Sequence, residues 1–174
     1  RAAIVLPDNF LFEDKAGDVF EIVMHDCNVH TVLRLPRGTF IPYANAQANV
    51  IFLQKGRPTE KVWIYDCRSN IPGCTKKDRP LTADMFADFE QCYGFDPNGN
   101  SKRIDQGTEG RFRSFHISEI KERNYKLDIK WLKDDTLEDP NELPEPQELI
   151  EEAISELQDV VNELNMIHSL LNLK

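Results

Sequence analysis

A chain of 174 residues can build one domain with a real hydrophobic core, or a domain with an appendage. Its 40% hydrophobic and 29% charged residues are near globular averages, no apolar run approaches the roughly 18 residues of a membrane span, and residues 1–12 do not read as a secretory signal. The net charge of −9 is unevenly spread: residues 134–174 hold 12 acids and one base, a net of −11, while residues 1–133 are at +2, which suggests two separate jobs.

The chain opens on the apolar run Ala2–Leu6, closed by Pro7-Asp8-Asn9. Such a run predicts a strand buried on both faces, as in the middle of a parallel sheet. Val19, Phe20, Val23, Met24 and Cys27 follow at helical spacing. Residues 29–36, rich in β-branched groups and stopped by Pro36, predict a strand. A loop carrying Arg37, Gly38, Phe40, Pro42 and Tyr43 leads to a further apolar strand near 48–55. The turn Gly56-Arg57-Pro58-Thr59 then introduces the strand Lys61–Cys67, so 48–67 reads as a hairpin.

Thr82 is a candidate N-cap for a helix with Met85, Phe86, Phe89 and Tyr93 on one face. Residues 94–111 have almost no apolar content and are expected to form a mobile loop, with the stretch 96–100 a turn. A short helix near 117–123 and an extended, aromatic-anchored segment 125–132 come next. An acidic, proline-bearing linker precedes a final helix from about Pro146 to Asn172. Ile150, Ala153, Leu157, Val160, Leu164, Ile167 and Leu171 step along it by threes and fours, the a/d seam of a heptad repeat. Ile154 and Val161 widen that stripe beyond what a two-stranded coiled coil needs. The helix either packs back on its own domain or joins a bundle with a partner.

Motifs for chemistry are absent from the sequence. It has no phosphate loop, no G-x-G-x-x-G, no G-x-S-x-G elbow and no H-E-x-x-H. His25, His30, His116 and His168 are scattered and read as surface or capping groups rather than ligands. Cys27, Cys67, Cys74 and Cys92 form no C-x-x-C pair; they read as free thiols of a reducing cytosol, the metal site being the rival reading. The acidic pairs of the tail sit on a solvated face, where nothing raises a pKa toward acid catalysis. Basic clusters in the body are more suggestive: Arg34 and Arg37 beside Phe40 and Tyr43, then Lys76, Lys77 and Arg79, then Lys102, Arg103, Arg111 and Arg113. Cations interleaved with aromatics can bind phosphates and stack bases, or can simply form a solvated surface.

The order strand, helix, strand, Pro-Arg-Gly-Thr-Phe loop and further strand carries a resemblance. The stretches at 2–12, 29–56 and 62–70, then 80–89, 112–134 and 139–157, are similar in order to the adenine-N6 DNA methyltransferases. The likeness is nearest to modification (M) subunits of type I restriction-modification systems, and "RLPRGTFIPYA" and "NYKLDIKWL" carry most of it. The resemblance implies an α/β fold: the C-terminal part of a seven-stranded, Rossmann-like sheet dependent on S-adenosylmethionine, strands five to seven, followed by an α-helical extension. It implies residues 1–67 as the last strands and helix of the methyltransferase domain. Residues 68–133 would be the C-terminal extension, and 134–174 the acidic linker and partner-docking helix.

The family's glycine-rich cofactor loop and its Asn/Asp-Pro-Pro-Tyr/Phe motif do not occur in residues 1–174. The stretch is therefore expected to be a C-terminal fragment with no catalytic residue, no metal and no cofactor binding of its own. The intact subunit would methylate the amine of an adenine rotated out of double-stranded DNA. Phe40 matches a position that stacks on that base in related enzymes, or it plugs the core; Tyr43, Arg34 and Arg37 are further candidate contacts. The C-terminal helix would dock on the specificity (S) subunit, with the restriction subunit in the full complex, in the cytoplasm. The rival reading is a non-enzymatic α/β adaptor with an oligomerising helix.

Overall fold

The computed structural model describes residues 1–44, 46–77 and 79–132 and, beyond them, the helical residues Leu157, Val161, Asn165 and His168. The chain divides into two units, Arg1–Thr136 and Leu137–Lys174. Of the heptad positions, Leu157 is helical and exposed, as is the flanking Val161. Ile150, Ala153, Ile154, Val160, Leu164, Ile167 and Leu171, with the acidic linker, lie outside the described residues.

The first unit is a mixed α/β layer. Five strands, β1 (Ala2–Pro7), β2 (Cys27–Arg34), β3 (Ala48–Lys55), β4 (Lys61–Asp66) and β5 (Phe112–His116), form one sheet in the order β1-β3-β2-β4-β5. β3 runs antiparallel to both β1 and β2, β2 pairs parallel with β4, and β5 closes the far edge antiparallel to β4. β1, β2 and β4 therefore share one direction. Among the described residues of this unit, three α-helices accompany the sheet: α1 (Asp14–Asp26), α2 (Ala87–Tyr93) and α3 (Ile117–Glu122). Among the described residues, no helix is long and apolar enough to cross a membrane.

Strand alternation sends side chains into two cores. Val32, Ile51, Val62, Ile64 and Phe115 face Phe20 and Met24 of α1, Ile120 of α3, and Leu127 and Ile129 of the extended segment. Leu33, Ala48, Trp63, Tyr65 and Phe112 face Phe89 of α2 on the other side. Being buried on both faces, β4 must sit inside the sheet. That is why the expected 48–67 hairpin does not form: β2 lies between β3 and β4. Residues 56–60 instead cross the amino end of β2, where Thr59 fixes the crossing. Its Oγ1 donates to the Cys27 carbonyl at 2.8 Å and accepts from the Val29 amide at 2.8 Å.

Two further expectations change. The opening strand is not in the middle of the sheet; β1 is an edge strand, and Ile4 and Val5 are exposed. Its apolar pattern signals burial, but the described residues give it only one neighbour, β3. The strand β5 was not anticipated from the sequence, and it adds to the same sheet, so the expected boundary at 67/68 falls inside the first unit.

Residues 94–111, expected as a mobile loop, make hydrogen bonds within the segment and to β5. Asp96 accepts from the Asn98 amide at 2.7 Å and the Asn100 side chain at 2.9 Å, while Asp105 accepts from the Ser114 amide and hydroxyl. His116 caps α3: its Nδ1 accepts from the Ser118 amide and the Glu119 carboxylate takes the His116 amide, a reciprocal box.

Candidate nucleic-acid interface

Ligands of open α/β sheets bind beyond the carboxyl ends of the parallel strands. Here those ends are Pro7, Arg34 and Asp66, and three segments leave them: 8–13 after β1, 35–47 after β2 and 67–82 after β4. The last two are pressed together. The Cys74 amide donates to the Arg37 carbonyl at 2.7 Å, and a Cβ on Gly38 would lie 2.3 Å from the Cys74 carbonyl oxygen. Gly38 also has φ of +73°, so both space and backbone demand glycine.

Beneath these loops lies a buried polar network. Asp66, 3% exposed, ends β4 and accepts from the amides of Arg68 (2.9 Å) and Ser69 (2.8 Å), the Ser69 hydroxyl (3.1 Å) and Arg34 Nη1 (3.3 Å). Arg34 Nη2 donates to the Ile129 carbonyl at 2.6 Å. Arg68 Nη1 donates to Asp8 at 2.9 Å and to Gln47 at 3.1 Å; its Nη2 reaches the Ala48 carbonyl and the Asn49 side chain, both at 3.0 Å. Asn49 in turn donates to Asp8 at 2.9 Å. Arg111 Nη1 adds bonds to the carbonyls of Asp66 and Ser69.

This wiring joins β1, β2, β3 and β4 at one edge and fixes where their loops depart. Burial opposes ionisation of Asp66, but the Ser69 and Arg68 amides and the Arg34 charge outweigh it and hold the carboxyl below the usual range. At Asp8, burial is likewise outweighed, by the Asn49 hydrogen bond and the Arg68 charge.

The candidate contacts separate in this setting. Arg34, 5% exposed and committed to Asp66 and Ile129, is an internal brace and not the surface group expected of it. Phe40 is half-buried against the core beneath α2. Tyr43, 93% exposed, stands at the tip of the loop, next to the exposed Ile41. Arg37 is half-buried against Gly73, while Lys76, Lys77 and Arg79 are exposed on the neighbouring segment. The two adjoining segments thus carry an exposed aromatic on one and exposed cations on the other, which suits a polyanion carrying stackable rings. Arg68 escaped the sequence reading. The signal available was Asp66-Cys67-Arg68-Ser69, an acid at a strand end followed by residues whose amides it can accept.

A family model described as N-6 DNA Methylase matches residues 1–139. The chain belongs to the N-6 DNA methylase family. Among members of that family, it is 35% identical to the type I restriction enzyme EcoKI methylase subunit of Escherichia coli K12, over 96% of this chain. It is 37% identical, over the same share, to the StySJI methylase subunit of Salmonella typhimurium LT2. The chain spans 38% of the length of each of these relatives. The crystal structure of the EcoKI M protein superposes with a TM-score of 0.70, covering 94% of this chain and 39% of that one. A modification subunit of a putative type I restriction enzyme from Vibrio vulnificus aligns at a TM-score of 0.60 and 25% identity, over 75% of this chain and 27% of its own. The N-6 DNA methylase fold thus includes the mixed five-stranded sheet described above.

Proposed function

We propose that this chain is part of a site-specific DNA adenine-N6 methyltransferase, the modification subunit of a type I restriction-modification system, which marks host DNA for protection. The observation that carries the reading is its 35–37% identity, along 96% of its length, to type I methylase subunits of two bacteria.

In this reading β1, β2 and β3 are strands five, six and seven of a seven-stranded sheet. Two features support that. The outer edge of β1 pairs with no strand among the described residues. Beside it is a wholly apolar cavity of about 210 Å³, lined among others by Ile4, Leu6, Phe10, Val19 and Leu53. Exposed Val19 of α1, which the helical spacing placed on a buried face, belongs to this cavity. Further strands of the protein, within the length that the relatives have and this chain does not span, are proposed to cover both.

S-adenosylmethionine would supply the methyl group when bound. The residues here do not fit it: among the described strands none leads through a glycine-rich turn into a helix. No step is therefore assigned to it on this chain. What the chain supplies is the DNA-facing edge, with Tyr43 and Phe40 as aromatic candidates and Arg37, Lys76, Lys77 and Arg79 for phosphates. The C-terminal helix is proposed to dock on the specificity subunit, with the restriction subunit joining the full complex in the cytoplasm.

The test is methyl transfer from labelled S-adenosylmethionine to adenine N6, by the full-length protein assembled with its specificity subunit. Transfer that falls in the Tyr43→Ala variant is the expected result, and a complex that methylates no adenine overturns the reading. Calorimetry of the 174-residue chain alone should detect no S-adenosylmethionine binding. Truncation near Asp135 should abolish affinity for the specificity subunit, and unchanged affinity would remove the docking role.

A further inference from the structure

At the opposite end of the sheet, over the amino ends of β2 and β4, lies a half-open cavity of about 420 Å³. Its walls come from the 56–60 crossing and from residues 99–103, and four cations line it: Arg57, Lys61, Lys102 and Arg103. Among the described residues none of the four makes an ion pair, and Glu60 is the one carboxylate on the lining. We propose that this cavity binds a phosphate group, borne either by a free phosphate or by a nucleic-acid backbone. The inference does not depend on the methyltransferase reading.

The site is built, not a chance gathering of surface charge. Arg103 is held by several of the molecule's own groups, the His30 carbonyl at 3.4 Å among them. Its Nε donates to the Tyr93 carbonyl at 3.1 Å, its Nη1 to Thr31 Oγ1 at 2.9 Å, and its guanidinium lies 4.6 Å above the Tyr93 ring. Its Nη2 is enclosed by the protein and has no hydrogen-bond partner among the described residues. A guanidinium fixed in place on the cavity lining keeps its charge directed there, and an anionic oxygen is the partner it favours most. Arg57 is oriented from the other wall, its Nη2 donating to Asn100 Oδ1 at 2.5 Å, and Asn100 is itself fixed by donating to Asp96.

The wall between them is His30, 3% exposed. Residue 99 has φ of +74°, and a Cβ there would come 2.4 Å from His30 Nδ1, so only glycine lets the 96–101 turn press against the ring. Thr31 Oγ1, which accepts from Arg103, meets His30 Nδ1 at 2.9 Å. Burial, followed by the charges of Arg103 and Arg57, pushes the imidazole down to about 4, so at neutral pH it is an uncharged hydrogen-bonding wall. The volume is in the range of small-ligand sites, roughly 300–1,000 Å³. Four cations, against Glu60 on the lining and Asp96 behind it, favour a multiply charged oxyanion over a carboxylate or a neutral ligand.

The experiment uses the 174-residue chain, isotope-labelled for NMR, at neutral pH and constant ionic strength. Sodium phosphate, sodium chloride and a short DNA duplex without terminal phosphates are titrated separately. Saturable shifts of the Gly99, Asn100 and Ser101 amides are expected with phosphate or with the duplex, and not with chloride. Shifts with inorganic phosphate identify a free-anion site, whereas shifts with the duplex alone identify a backbone contact. Arg57→Gln combined with Lys102→Gln, which leaves the Arg103 and His30 braces in place, should weaken binding by about tenfold or more. No saturable shift with either probe, or shifts of unchanged affinity in the double variant, overturns the proposal.

Discussion

The two ends of the sheet use the same residue type in opposite ways. At the carboxyl ends of β1, β2 and β4, two arginines meet carboxylates: Arg34 is tied to Asp66 and Arg68 to Asp8. At the amino ends the direct partners of Arg57 and Arg103 are neutral, Asn100, Tyr93, Thr31 and the His30 carbonyl, and neither makes an ion pair among the described residues, although the Asp96 charge acts on Arg103 from nearby. An arginine that meets a buried carboxylate becomes a brace, because its hydrogen bonds and its charge are both answered within the protein. One whose geometry is fixed by carbonyls and hydroxyls is positioned while its charge remains available. The difference teaches that a count of basic residues says little until the partner of each is known.

Breaking the brace should have the largest effect. Asp66→Ala would leave the Arg34 charge buried and strip acceptors from the Arg68 and Ser69 amides. A loss of about 3–5 kcal/mol in urea unfolding is expected. Arg57→Gln, at the other end, should change stability by no more than about 0.5 kcal/mol. Equal losses in the two variants would erase the contrast.

His30 sharpens the same comparison through pH. Its folded-state value, near 4, lies below the ordinary 6.5, so the unfolded chain takes up its proton first as the pH falls. Stability attached to the neutral ring is complete above pH 6.5 and declines down to about pH 4, by about 3 kcal/mol in all. His30→Gln should remove that slope in unfolding experiments across the window. At the braced end, Asp66 is held below the ordinary 3.8. Its contribution is present above that value and fades only as the pH falls through the folded-state one. Acid should therefore loosen the amino end before the carboxyl end, and hydrogen exchange across the two edges would read the order.

Smaller effects concern the loops alone. Gly38→Ala, at positive φ and against the Cys74 carbonyl, should cost about 1–2 kcal/mol by parting the two carboxyl-edge segments. Tyr43→Ala, at an exposed tip, should leave the unfolding midpoint nearly unchanged, within about 0.5 kcal/mol. Any loss of DNA methylation in the full-length protein would then belong to the contact itself.

Much of the local structure was legible. The β-branched and apolar runs placed β2, β3 and β4 within a few residues, and helical spacing found α1 through Phe20 and Met24. β5 was hidden because Phe112–His116 is short, and only Phe112 and Phe115 among its residues are buried, which is neither strict alternation nor an apolar run. The carboxyl-edge candidates were found by composition, yet Arg34 and Tyr43 looked alike there; one is internal and the other fully in solvent. His30 was read as a surface group because a single histidine in a strand gives no sign of which neighbours will bury it.

Taken alone, the sequence determined where β1 to β4, α1 and the short helix near 117–123 lie, and to which family the order of those segments is similar. Propensity and periodicity act over a few residues and are written in those residues. Only the tertiary structure decided that β2 separates β3 from β4, that Asp66 takes up Arg34, and that Arg57 and Arg103 meet across one cavity. Those outcomes depend on pairings between distant residues, such as Thr31 with Arg103, where each partner is selected by the space and charge that the rest of the fold leaves open.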